Sequence, residues 1–89
     1  MQERTVVIRN KAGIHCRPSS AILLAAAKFP DCRFLVESEK GSTDLKSILD
    51  LLALGLQKGD TVRIQASGND EEEACARIAM MFETEFDFV

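Results

Sequence analysis

Thr61-Val62-Arg63-Ile64-Gln65-Ala66 alternates polar and apolar side chains, so Val62, Ile64 and Ala66 fall on one face of an extended chain. Such a strand buries one face and wets the other, which is the pattern of an antiparallel sheet covered on one side only. Ser67-Gly68-Asn69 then reads as a turn, and the acidic run Asp70 to Glu73 opens a final helix. Carboxylates there sit at the positive end of the helix dipole. Ala74, Ile78, Met81 and Phe82 recur at helical spacing and predict its buried stripe.

Working back from this strand, Lys58-Gly59-Asp60 is a turn, and Ser47 to Leu54 is a short helix with Ser47 as N-cap and Gly55 as its stop. Arg33 to Ser38 predicts a strand with Phe34 and Val36 facing inward, returning through Glu39-Lys40-Gly41 into a short strand at Ser42-Thr43-Asp44. Near the N-terminus, the β-branched run Thr5 to Arg9 predicts a strand and Asn10-Lys11-Ala12-Gly13 a loop. A helix follows from Cys16 to Lys28, with Pro18 in its first turn, Ile22, Ala25, Ala26 and Phe29 on its apolar side, and Pro30 ending it. The order βαββαβα predicts an α+β fold, an antiparallel sheet with helices on one face.

With 89 residues the chain is expected to form a single domain over 1–89, and its 46% hydrophobic content is enough for one core. Eleven basic against fourteen acidic side chains give a net charge of -3, which argues against nucleic acid as the main partner. The longest apolar run, Ala21 to Ala27, is far short of the roughly 18 residues of a membrane span. Cys16, Cys32 and Cys75 are odd in number and contain no CxxC pair, so neither a disulfide framework nor a metal site is expected. These features predict a cytoplasmic protein.

Gly13-Ile14-His15-Cys16-Arg17-Pro18 places the only histidine at the mouth of the first helix. Unpaired amides and a positive dipole end are found there, so a neutral, nucleophilic imidazole is favoured. The backbone amides of Cys16 and Arg17 are suited to receive an anion beside it. The Arg17 guanidinium offers a planar fork for phosphate oxygens. Read as chemistry, the segment can accept, hold and release a phosphoryl group. Read as structure alone, His15 is a surface residue at a helix start and Arg17 a solvated cation.

Taken with Leu45-Lys46-Ser47-Ile48, Leu54-Gly55-Leu56, Lys58-Gly59 and Ile64-Gln65-Ala66-Ser67-Gly68, this segment resembles HPr, the histidine-containing phosphocarrier family of the bacterial phosphoenolpyruvate-dependent sugar phosphotransferase system. The resemblance covers nearly the whole chain. It implies an open-faced β-sandwich, a four-stranded antiparallel sheet with three helices on one side. It also implies a carrier rather than an enzyme: His15 takes a phosphoryl group from enzyme I on Nδ1 and passes it to IIA proteins. Arg17 would steady that group, and no cofactor is needed.

Ser47, an N-cap on residue type alone, is by the same resemblance also a residue phosphorylated by an HPr kinase/phosphorylase. It places docking contacts at Ser20, Leu24, Ile48, Leu49 and Leu52. Five apolar residues crowd the short helix, and one sheet cannot bury them all. Leu51 and either Ile48 or Leu54 are expected in the core, leaving Leu49 and Leu52 partly exposed as a partner surface. Many family members carry a basic residue at the position of Leu24 or Ala27, where this chain keeps only Lys28 nearby. The Cys16 thiol reads either as a reactive group at a helix start or as a small packing residue. Cys32 and Cys75 read as packing residues, and the apolar tail Phe86-Asp87-Phe88-Val89 reads either as packing back on the sheet or as lowering solubility. The chain is expected to be monomeric. Two other roles fit the resemblance: a nitrogen-branch phosphocarrier, and a regulatory binding module acting through phosphorylated Ser47. The presence of His15 counts against the last as a sole role.

Overall fold

In the computed structural model, the described residues are 1–11, 13–14 and 16–84, the Cys16 side chain excepted. Expectations for Ala12, His15, the Cys16 thiol and the tail therefore concern positions outside them. The elements run β1 (Gln2–Val7), α1 (Cys16–Ala27), β2 (Cys32–Ser38), β3 (Gly41–Thr43), α2 (Ile48–Ala53), β4 (Thr61–Gly68) and α3 (Glu71–Glu83), the predicted βαββαβα order. The sheet is antiparallel with strand order β1-β4-β2-β3, so the alternating strand β4 lies in its interior.

The inward positions of that sheet are Val6, Phe34, Val36, Thr43, Val62, Ile64 and Ala66, all buried. Ile22, Ala25 and Ala26 of α1, Leu51 of α2, and Ala74, Ile78, Ala79 and Phe82 of α3 close over them. The opposite face carries polar pairs across the strands: Arg63 donates to Glu37 Oε1 at 2.7 Å, and Gln65 Nε2 to Glu3 Oε1 at 2.6 Å. One face is therefore core and the other is water-facing.

Two boundaries and one buried stripe depart most from the sequence reading. β1 starts at Gln2, because Gln2-Glu3-Arg4 pairs with Ala66-Gln65-Ile64 on an edge strand, where polar residues lose nothing by facing solvent. Phe82 is fully buried while Met81 is only partly so, and Cys75 and Ala79 complete the stripe of α3. β4 continues through Gly68, which was read as turn. Gly68 pairs with Cys32, and a Cβ there would sit 2.2 Å from the Asp31 carbonyl oxygen. Only glycine lets the two strands close at that end.

Burial pushes the Cys75 thiol up, and its Sγ lies 3.5 Å from the Ile64 carbonyl oxygen. Partial burial, with Glu71 nearby, likewise raises Cys32. Both thiols are disfavoured as thiolates, in keeping with packing roles. Ser19 is fully buried in the first turns of α1, and its Oγ has no hydrogen-bond partner among the described residues. Leaving a hydroxyl dry and unpaired costs about 1–3 kcal/mol. Ser19→Ala is accordingly expected to stabilise the fold by about 1 kcal/mol, read as a higher urea midpoint at unchanged m-value; an unchanged or lower midpoint would show that the hydroxyl finds a partner.

Candidate functional site

The chain leading to residue 15 is pinned on both sides of a tight turn. Asn10 is buried in a loop, and its Nδ2 donates to the Gly13 carbonyl at 2.7 Å while the Gly13 amide donates to the Asn10 carbonyl at 2.9 Å. The next amide, Ile14 N–H, donates to the Leu56 carbonyl at 2.9 Å, and the Ile14 side chain is buried. Gly13 has φ +72, and a Cβ on it would lie 2.3 Å from the Leu56 oxygen. Glycine is required there by both conformation and contact. One residue beyond Ile14 comes His15, and α1 begins at Cys16. The helix start thus follows a fixed turn, and the amides of its first turn are the groups an anion at residue 15 would use. Arg17 is exposed on that first turn.

The segment that holds Ile14 is itself braced. Lys40 Nζ donates to the Gly55 carbonyl at 2.7 Å and pairs with Asp60 Oδ2 at 2.9 Å, while the Gln57 amide donates to the same oxygen at 2.8 Å. The hydrogen bond from Lys40, then that from Gln57, lowers the Asp60 pKa below the ordinary carboxylate value. A carboxyl with a depressed folded-state pKa contributes stability above its unfolded value and loses it as pH falls through the folded one. Stability is therefore expected to decline as pH drops below about 4, and Asp60→Asn is expected to flatten part of that decline in urea midpoints compared between pH 6 and pH 2.5. An identical acid dependence in the variant would remove Asp60 from the account.

Ser47 stands at the N-cap of α2, half-buried, with φ -130 and ψ 127. The position is the one the sequence predicts, but its side chain makes no cap hydrogen bond. The Ser47 carbonyl takes the first helical bond, from Leu51 N–H at 3.3 Å. Ahead of it, Leu45 is held at φ +63 with its side chain buried, a left-handed backbone that sequence patterning did not signal. Burial of the leucyl group outweighs the cost of that conformation, about 1–2 kcal/mol.

α1 and α2 pack against each other. Leu51 and Leu54 go to the core, Ile48 and Leu52 are half-buried, and Leu49 is 73% exposed. On α1, Ser20 is exposed and Leu24 is 69% exposed. The docking residues expected from the resemblance thus all lie on this helix pair, with at least part of each side chain in solvent. Among the described residues no group of three His, Cys, Asp or Glu side chains is placed to hold a metal, and no helix is long and apolar enough to cross a membrane. The residue that the sequence reading missed is Asn10, seen only as loop. A polar residue three positions before a glycine was its only signal.

A family model described as the PTS HPr component phosphorylation site matches residues 2–84. The phosphocarrier protein HPr of Mycoplasma genitalium is 39% identical over 83 residues, covering 93% of this chain and 94% of that protein. The phosphocarrier protein NPr of Escherichia coli is 34% identical over 86 residues, covering 96% and 94%. Among solved structures, HPr from Thermoanaerobacter tengcongensis superposes with a TM-score of 0.80 at 34% identity, covering 97% of this chain and all of that one.

Proposed function

The chain belongs to the HPr family of phosphotransferase-system phosphocarriers, and from that premise we propose that His15 is the residue that carries the phosphoryl group. The observation that supports this most is the pinning of Asn10, Gly13 and Ile14, which directly precede His15 in the chain, ahead of the start of α1 at Cys16. The protein is a carrier, not an enzyme, and is itself modified in each cycle.

In the proposed cycle, the Nδ1 lone pair of His15 attacks the phosphorus of phospho-enzyme I. The new N–P bond forms as the bond to the donor histidine breaks, and the electron pair stays with the donor. The phosphoryl oxygens meet the backbone amides of Cys16 and Arg17 and the Arg17 guanidinium, where their charge is stabilised. A IIA protein then takes the group by the same displacement. Positioning and charge supply the catalysis, so no cofactor enters. Such a cycle belongs in the cytoplasm, with the chain acting as a single-domain monomer.

Ser47 is proposed as a second phosphorylation site, served by an HPr kinase/phosphorylase. Its hydroxyl is not used in capping α2, and a phosphate there would add nearly two negative charges next to the docking helix. The nitrogen-branch reading has one observation of its own, the 34% identity to NPr, against 39% to HPr. Incubation with phosphoenolpyruvate and either a sugar-type or a nitrogen-type enzyme I, read by intact mass, tests both readings. One acid-labile phosphate from the sugar-type enzyme is expected. Uptake from the nitrogen-type enzyme alone would move the protein to that branch, and none from either would overturn the carrier role of His15.

A further inference from the structure

A cleft of about 500 Å³ opens between the C-terminal end of α1, the first residues of β2 and the segment Asp44-Leu45-Lys46 ahead of α2. α1 has 12 residues and is about 18 Å long, so this cleft lies well away from the helix start at Cys16. Its size falls within the range of small-molecule sites, about 300–1,000 Å³. Phe34 and Leu45, both buried, and Leu23 and Phe29, both half-buried, give it an apolar lining. Leu45 takes its place there through a left-handed backbone, φ +63, and strained residues of this kind gather where ligands are clamped. The charged lining residues are Arg33, Lys46 and Asp44, all exposed. Asp44 Oδ1 accepts the Lys46 backbone amide at 3.1 Å. Among the described residues no carboxylate pairs with the Arg33 or Lys46 side chain. Lys28 and Asp31 flank the cleft in sequence without lining it, and their charges cancel. The cleft is therefore net positive in a chain whose net charge is -3.

We propose that this cleft binds a small organic carboxylate with an apolar body, the body lying on Phe34 and Leu45 and the carboxylate meeting Arg33 and Lys46. An apolar body removes the lining from water, which supplies most of the affinity. The carboxylate gives the two cations a partner, and a guanidinium can hold it through two parallel hydrogen bonds. A cationic ligand would meet like charges at Arg33 and Lys46. A polar body, such as that of a sugar phosphate, would press unpaired hydroxyls against the aliphatic and aromatic lining, which is costly. The site needs neither His15 nor Ser47, so it stands independently of the carrier reading.

The test titrates ¹⁵N-labelled protein with sodium octanoate, octan-1-ol or octylammonium chloride and follows the amide shifts by NMR. Octanoate is expected to shift the amides of Phe29, Cys32, Arg33, Leu45 and Lys46 and to saturate. Octanol is expected to move the same amides with affinity about fivefold weaker, as befits loss of an exposed charge pair, and octylammonium to bind more weakly still. Arg33→Gln combined with Lys46→Gln is expected to bring octanoate down to the affinity of octanol, with unaltered shifts elsewhere showing that the fold is intact. Ala27→Phe places a ring on an exposed lining residue and is expected to abolish saturation by both octanoate and octanol. Shifts that fail to saturate, or that fall outside the cleft, would overturn the proposal. Equal affinity for the three probes, or octanoate binding unchanged in the double variant, would overturn it as well.

Discussion

His15→Ala is expected to take up no phosphate from phospho-enzyme I, where the unaltered protein acquires one acid-labile phosphate per chain. The loss is total rather than graded because no other imidazole exists in the sequence. Hydroxyls and carboxylates would yield esters or acyl phosphates, with stabilities unlike that of a phosphoramidate. Arg17→Ala separates acceptance from stabilisation. Removing one group that meets developing charge costs about 10²–10³ in rate, so this variant is expected to reach the same end point roughly a hundredfold more slowly. Ser47→Ala is expected to load phosphate as the parent does, since its hydroxyl lies on a different helix start. Phosphate on the alanine variant of His15 would overturn the assignment directly. A full-rate Arg17→Ala would leave His15 in place and remove the guanidinium from the mechanism.

The fold was legible because its central strand is also its most regular one. β4 is hydrogen-bonded to β1 on one side and β2 on the other, and its alternation reports which face is dry. The edge strand β1 was harder to bound, since Gln2, Glu3 and Arg4 have no apolar signature and join the sheet only through pairing with β4. Local pattern carries the side chains that a segment buries, but not the backbone that a distant segment brings up to it.

The candidate site divides along the same line. Pro18 and the apolar spacing of α1 announce a helix start beside His15, and the crowding of leucines on α2 announces that some must face out, as Leu49 does. What holds the turn before His15 is not local. Leu56 lies more than forty residues along the chain from Ile14, and its carbonyl is braced in turn through the Lys40–Asp60 pair. Nor could residue type reveal that Leu45 takes a left-handed conformation, because leucine does so only where tertiary burial outweighs the strain. The Ser47 N-cap is a related case. Its position follows from sequence, whereas the absence of the cap hydrogen bond does not.

That long-range brace leads to the second large effect, on Gly13. In Gly13→Ala, the left-handed φ of +72 is retained only at a cost of about 1–2 kcal/mol. The new methyl would lie 2.3 Å from the Leu56 carbonyl oxygen, a backbone atom that cannot rotate away. Either the turn or the Leu56 segment must move, and the Ile14 N–H to Leu56 hydrogen bond then weakens by about another 1 kcal/mol. The variant is expected to lose about 3 kcal/mol, which in a domain of this size lowers Tm by more than about 10 °C. Gly55→Ala is the internal comparison: φ is +59, but nothing lies within 4 Å of a Cβ, so only the conformational cost of about 1 kcal/mol applies. Equal losses in the two variants would show that the close approach to Leu56 carries no energy. The same displacement should reach the chemistry, because His15 follows Gly13 by two residues in the chain and a shift of about 1 Å in a reacting group can cost a hundredfold in rate. At a temperature where circular dichroism shows both variants fully folded, Gly13→Ala is therefore expected to accept phosphate at least tenfold more slowly than Gly55→Ala. Equal rates would mean that the Leu56 contact serves stability alone.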